Sequence, residues 1–213
     1  MRDSHRHPVF ARLYGTLSKS GEKAGIADHR REALAGLRGR VIEVGAGNGL
    51  NFAHYPPEVT EVVAVEPEPY LRSKAAVAAI AAHVPVRVVD GSAEDLPVDD
   101  GSFDAAVASL VLCSVTDPAR SLAEIWRVVR PGGELRYYEH VRAEEPDRAR
   151  FQDRVDRIWP LFVGGCHCNR DTPATIRRAG FRVESERRFL FQPCAISKAV
   201  APHVIGRATV PTD

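Results

Sequence analysis

A carboxylate and three glycines stand together at the end of an apolar run: VIEVGAGNG, residues 41–49, places Glu43 two residues before Gly45, with Gly47 and Gly49 at alternate positions. Lacking a Cβ, such glycines let the backbone turn sharply and come within van der Waals distance of a ligand that a side chain would push away. Strand, glycine turn and a helix beginning near Leu50 would make the first unit of a doubly wound α/β sheet, which binds ligands at the carboxyl ends of its strands. A dinucleotide turn, G-x-G-x-x-G/A, needs a small residue where this chain has Leu50, and its strand is usually apolar where this chain has Glu43.

The pattern fits S-adenosylmethionine better, because that cofactor carries no phosphate and its ammonium and sulfonium charges tolerate a nearby carboxylate. Glu66 closes the next apolar run about twenty residues beyond the first glycine, where a carboxylate accepts hydrogen bonds from both ribose hydroxyls. Asn51, in the first turn of the expected helix, is a candidate partner for the methionine carboxylate. His140, at the carboxyl end of the fifth expected strand, is the candidate catalytic residue: a base with near-neutral pKa suits proton removal where substrate meets cofactor. Cys166, His167 and Cys168 follow a glycine pair and are candidates for the substrate pocket wall. C-H-C is not the usual C-x-x-C ligand pair, and four ligands would need Cys113, Cys194 or a distant histidine, so no metal is expected. Cys113 lies in an apolar run as a small buried residue beside the substrate. Tyr14 and Trp159, with Phe162, fill core or cover the pocket.

These residues need a scaffold, and the periodicity supplies one. Two helices, over residues 8–17 and 26–37, precede the first strand, with Phe10, Leu13, Tyr14 and Leu17 on one face; residues 1–38 are expected to form a lid on a domain spanning 39–213. Strands follow over residues 61–65, 86–89 and 105–112. Leu122, Ile125, Trp126 and Val129 recur at helical spacing, with Arg120, Glu124 and Arg127 facing out. Gly132 and Gly133 break that helix, and residues 133–141 form the fifth strand. Helices over residues 147–161 and 172–179 come next, the second stopped by Gly180. Residues 181–191 and 203–210 read as an antiparallel hairpin, giving a mostly parallel seven-stranded sheet with helices on both faces. The charge run over residues 142–150 reads as a solvated helix entry.

The combination of GSAEDLP at 91–97, DGSFD at 100–104 and RPGGEL at 130–135 with the glycine turn resembles the class I S-adenosylmethionine-dependent methyltransferases. That resemblance implies a Rossmann-like sheet and puts Ser92, Ala93 and Glu94 in the adenine-binding loop, with Pro67 and Leu110 as further cofactor contacts. Relatives of the quinone-methylating type usually have Asp where this chain has Ser92; the backbone N–H of Ala93 can still read the ring. NFAHYP at 51–56, SLVLCSV at 109–115, YYEHV at 137–141, GGCHCNRDT at 164–172 and PHVIGRA at 202–208 resemble the methyltransferase-like thiol S-methyltransferases and their bacterial relatives. The implied acceptor is a small thiol. Methylation of a quinone or phenol carbon or oxygen, or of a lipid amine, is the alternative reaction, and a non-catalytic cofactor-binding protein the alternative class.

Composition agrees with an ordinary globular enzyme. The chain has 213 residues, 44% of them hydrophobic, enough for a substantial core. Its formal charge of +1 gives no broad basic face for nucleic acid. The polar MRDSHRHP start has no apolar leader, and no run reaches the roughly 20 apolar residues of a membrane span, which points to the cytoplasm. Four cysteines without regular spacing suit a reducing compartment.

Overall fold

The computed structural model describes residues 8–212; residues 1–7 and 213, and the side chains of Pro8, Val9, Phe10, Leu13, Thr16, Leu17 and Lys19, lie outside the described set. Seven strands form one sheet: β1 (Gly39–Val44), β2 (Val59–Val65), β3 (Val86–Val89), β4 (Phe103–Ser109), β5 (Val129–His140), β6 (Arg182–Leu190) and β7 (Pro202–Thr209), in spatial order β3-β2-β1-β4-β5-β7-β6. β1 to β5 run parallel, and β7 runs antiparallel to both β5 and β6. The chain order therefore reverses between β1 and β4, the switch point where a doubly wound sheet opens a crevice. β1 and β2 are buried on both faces over Val41 to Val44 and Val62 to Val65, so these strands read as apolar runs, broken in β1 only by Glu43.

Helices cover the two faces: α1 (Pro8–Gly21), α2 (Ala27–Leu34), α3 (Pro69–Ile80), α4 (Pro118–Val128), α5 (Pro146–Val155), α6 (Trp159–Phe162) and α7 (Thr172–Arg178). Several starts are written locally. Glu68 caps α3 by accepting from Leu71 N at 2.7 Å, and Asp117 caps α4 by accepting from Ala119 N and Arg120 N at 3.0 Å, each followed by proline at the first helical position. Leu122, Ile125 and Val128 bury the inner face of α4. Among the described residues no helix is long and apolar enough to cross a membrane.

Two expected helices differ. The helix expected from Leu50 is a single 3-10 turn, Phe52–His54, cut short before Pro56 and Pro57. The helix expected over residues 147–161 stops at Val155, because the ring of Pro160 would meet the carbonyl of Asp156, four residues back, in a continuous helix; α6 restarts at Trp159. α1 and α2 are joined by a π turn, Glu22–Ile26, in which Gly25 takes φ +124°. That bend sets the direction of α2, which carries a buried arginine, Arg30, toward the sheet edge.

Glu139, wholly buried near the end of β5, shapes the loop beyond β4. Its Oε1 accepts from Val111 N at 3.0 Å and Leu112 N at 2.8 Å, and its Oε2 from Cys113 N at 3.2 Å. Glu139→Gln would point an NH₂ group at one of these donors. We expect a loss of about 1–3 kcal/mol in urea unfolding, and Glu139→Ala more; a variant as stable as wild type would show that these bonds do not hold the loop.

Candidate functional site

A cavity of about 420 Å³ opens at the β1/β4 switch point. Its wall takes Glu43, Gly45 and Gly47 from β1 and the turn after it, Glu66 and Pro67 from the end of β2, Ala93 and Glu94 after β3, Leu110 and Cys113 after β4, and His140 from β5. Ala11 and Tyr14 of α1, Arg30 of α2, and Cys166, His167 and Arg170 complete it. Of the residues singled out from sequence, Gly49, Asn51, Ser92, Trp159, Phe162 and Cys168 do not reach this wall.

The three glycines stand there for different reasons. All have positive φ: +66° at Gly45, +57° at Gly47 and +80° at Gly49. A Cβ on Gly45 would lie 2.2 Å from Val111 Cγ2, and one on Gly49 would lie 2.6 Å from the Phe52 ring and 2.9 Å from Ala78 Cβ. Those two glycines serve packing. A Cβ on Gly47 would meet only Tyr14 Cε1, at 3.7 Å, and would stand in the cavity itself. Gly47 is thus the position where a side chain would occupy ligand space. Leu110 also has a positive φ, +57°, uncommon outside glycine, and its N–H donates to the Tyr138 carbonyl at 2.6 Å.

One end of the cavity is ionic and buried. Asn51 Nδ2 donates to Glu43 Oε1 at 2.9 Å and Tyr55 Oη to Glu43 Oε2 at 2.7 Å. Arg30 donates to Asn51 Oδ1 at 2.9 Å, to Ser109 Oγ at 3.0 Å and to Glu22 Oε1 at 2.8 Å. Asn51 is therefore a strut between Glu43 and Arg30, with both ends of its amide engaged, rather than a ligand contact; without a regular helix after the glycine turn, its expected dipole is lost as well. Burial pushes the Glu43 carboxyl up to about 7, against the pull of its bonds to Tyr55 and Asn51. Glu66 accepts from Gly47 N at 2.7 Å and Glu68 N at 2.9 Å, and burial raises its carboxyl too. Ser92 instead bridges to Asp95, leaving Ala93 and Glu94 to face the cavity.

The other end is lined by sulfur and imidazole. Cys113 and Cys166 are buried, with their Sγ atoms 3.6 Å apart, and His140 Nδ1 lies 3.7 Å from the first and 3.6 Å from the second. Burial and the adjacent His203 hold His140 well below the ordinary histidine range, so it is neutral; the near-neutral base expected from sequence is corrected. The Cys166–His167–Cys168 triplet splits. His167 Nδ1 pairs with Asp156 Oδ2 at 2.8 Å, while Cys168 turns its sulfur to the Gln152 carbonyl at 3.6 Å. Gln152 Nε2 ties the carbonyls of Val141, Cys168 and Ala199 together at 3.0, 2.6 and 2.9 Å. Trp159 packs behind this wall against the cysteine cluster.

Three contributors were missed from sequence: Arg30, Arg170 and Glu139. Arg170 donates to the carbonyls of Leu112 and Val115, both at 2.8 Å. Their partners lie far away in the chain, and only YYEHV, with an acidic residue inside an apolar strand, hinted at Glu139.

Comparison with known proteins gives a consistent result. The methyltransferase-domain family matches residues 42–137. Thiol S-methyltransferase TMT1A of Homo sapiens is 36% identical over 185 residues, covering 83% of this chain and 74% of that protein. Demethylmenaquinone methyltransferase of Deinococcus radiodurans is 36% identical over 107 residues, 49% of this chain and 44% of its own length. The structure of an S-adenosylmethionine-dependent methyltransferase from Mesorhizobium loti shares the fold with TM-score 0.62 at 18% identity, covering 85% of this chain and 96% of that one.

Glu43 makes the ionic end of the cavity sensitive to pH. A carboxyl raised from 4.5 to about 7 binds its proton more tightly folded than unfolded, so its stabilising contribution is present below about 4.5 and lost as pH rises through about 7. Glu43→Gln, which cannot ionise, should gain on wild type by up to about 3 kcal/mol between pH 4.5 and 8 in the absence of ligand. A stability difference independent of pH would mean that Glu43 does not titrate there.

Proposed function

Because the chain belongs to the class I S-adenosylmethionine-dependent methyltransferases, we propose that it methylates the sulfur of a small, largely apolar thiol, with the Cys113, His140 and Cys166 end of its cavity as the acceptor pocket. The observation that carries this reading is the division of one cavity into a buried ionic end and a sulfur-lined end. The likeness to thiol S-methyltransferases over most of both chains supports it.

The ionic end fits the cofactor. Arg30, Glu43 and Glu66 supply charges of the right signs to face one carboxylate, one ammonium and the ribose hydroxyls. Arg30 would hold the carboxylate, Glu43 would face the cationic end, and Glu66 would accept from the ribose hydroxyls while keeping its bonds to Gly47 and Glu68. Gly47 leaves the room, Ala93 offers its backbone N–H, and Pro67, Glu94 and Leu110 close the wall. S-adenosylmethionine supplies an electrophilic methyl group on sulfur whose thioether leaving group needs no proton.

The chain's own task is then to align the acceptor, exclude water and favour its ionised form. Tyr14 and Ala11 of α1, with Arg30 of α2, would cover the cofactor end as a lid on the remainder. Cys113, Cys166 and His167 wall the pocket, with Trp159 backing it. Neutral His140 presents Nδ1 as an acceptor for an incoming thiol proton. Keeping that proton would be costly in so buried a place, so the imidazole orients the thiol and does not store its proton.

Two sets of measurements check this reading. Glu66→Ala and Gly47→Val should each weaken S-adenosylmethionine binding by about 10- to 100-fold in calorimetry, with the fold retained; unchanged affinity in both would mean the cradle is misplaced. In a product screen, aliphatic and aromatic thiols should be converted and the matching alcohols not, with rates rising as the thiol ionises and no inflection from His140 between pH 6 and 8. His140→Gln should slow thiols of high pKa most. Equal turnover of phenols or quinones would favour the alternative suggested by the demethylmenaquinone methyltransferase match, and binding without turnover would make the protein a cofactor binder only.

A further inference from the structure

Cys113, His140 and Cys166 come from three separate stretches, the loop after β4, the end of β5 and the loop after α6. Their ligand atoms nevertheless all lie within 4.8 Å of one another. We propose that these three side chains form a zinc site whose fourth position, open to the cavity, takes the sulfur of the substrate.

The distances carry the argument. A tetrahedral zinc with Zn–S near 2.3 Å and Zn–N near 2.0–2.1 Å holds two ligand sulfurs about 3.8 Å apart and a sulfur and a nitrogen about 3.6 Å apart. The corresponding separations here are 3.6 Å between sulfurs and 3.7 and 3.6 Å from sulfur to Nδ1. A metal at ordinary bond lengths would sit about 0.7 Å out of the triangle's plane, leaving a fourth vertex.

Charge agrees with the distances. Zinc with two thiolates and a neutral imidazole is uncharged, which suits groups this deeply buried. A zinc ion entering the triangle would displace the two thiol protons to solvent. The positions are fixed from outside: Glu139 holds the Cys113 amide, and His167 N donates to the Cys113 carbonyl at 2.7 Å. All three ligands line the cavity, and three protein ligands with one open position is the pattern of a catalytic zinc. The C-H-C spacing concealed this, since only Cys166 of that triplet faces the cluster.

The substrate part of the proposal rests on the thiol reading. A thiol entering the fourth position would form a Zn–S bond and release its proton to solvent, so the protein would bind its acceptor already ionised at neutral pH. The imidazole then need not take that proton.

The test uses the full chain, free of any affinity tag and fully reduced. Metal analysis should find one zinc per chain. After chelation, titration with cobalt(II) should give one equivalent with sulfur-to-cobalt charge-transfer absorption and the visible bands of a tetrahedral ion. Cys113→Ser and Cys166→Ser should each weaken zinc binding at least 100-fold, whereas Cys194→Ser, at an exposed position, should keep the full equivalent. Adding a thiol should perturb the cobalt bands, and an alcohol should not. Absence of cobalt absorption in fully reduced wild type overturns the site without recourse to a variant, as does undiminished binding in Cys166→Ser. Thiol methylation at full rate by metal-free protein overturns the zinc proposal and leaves the thiol reading standing; one bound zinc with no thiol methylated sustains the metal site and overturns the thiol reading.

Discussion

The sulfur-lined end of the cavity depends on one buried carboxylate. Glu139 faces three consecutive backbone N–H groups, Val111 to Cys113, which would otherwise be stranded at the end of β4. Buried amides left unpaired cost more than the bonds themselves contribute, so the chain turns there and nowhere nearby. Because β4 and β5 are adjacent and parallel, a residue at the end of one is within reach of the loop leaving the other. His140, the next residue along β5, is delivered to the same place. A single strand end therefore sets both the loop that brings Cys113 and the imidazole beside it.

A second constraint acts across the cavity. Arg30, Asn51, Glu43 and Tyr55 form a continuous buried chain of hydrogen bonds, joining α2 to the end of β1 and to the turn beyond it. Such networks stabilise when every member is satisfied and are costly when one is lost. The cofactor end is accordingly rigid and charged, and its carboxyl at Glu43 is poised near neutrality because burial opposes the charge that its partners favour. A cationic ligand removes that opposition, so recognition and relief of the buried charge are one event.

The fold was legible because its signals are local. The glycine turn, the Pro-Gly-Gly turn before the body of β5 and the amphipathic face of α4 each act over a few positions. The failures were also local in cause: Pro56 and Pro160 end helices that apolar periodicity would continue. The site was legible only in part. Glu43, Gly47, Glu66 and His140 could be read from their places at strand ends, which topology fixes in this sheet. Asn51 could not, since its role depends on Arg30 arriving from α2 after the bend at Gly25. The importance of Cys113 was equally hidden, because an apolar run around a cysteine looks the same whether its sulfur faces core or cavity.

The two ends of the cavity pose the same electrostatic problem with opposite remedies. At the cofactor end the protein places its own charges in pairs, arginine against glutamate, and bridges them through an amide. At the sulfur-lined end the adjacent Cys166 and burial push the Cys113 thiol up and burial pushes the His140 imidazole down, each toward its neutral form. A thiolate acceptor brought there alone would be an unpaired charge in an apolar place, raised in energy by the burial that excludes water from the reaction. A positive charge close to the acceptor relieves that cost: the sulfonium of the methyl donor is one, and a bound cation would add a second. Arg170, which also lines the cavity, is held by the carbonyls of Leu112 and Val115. The cysteine and histidine triangle has the spacing to hold such a cation beside the place the substrate must occupy.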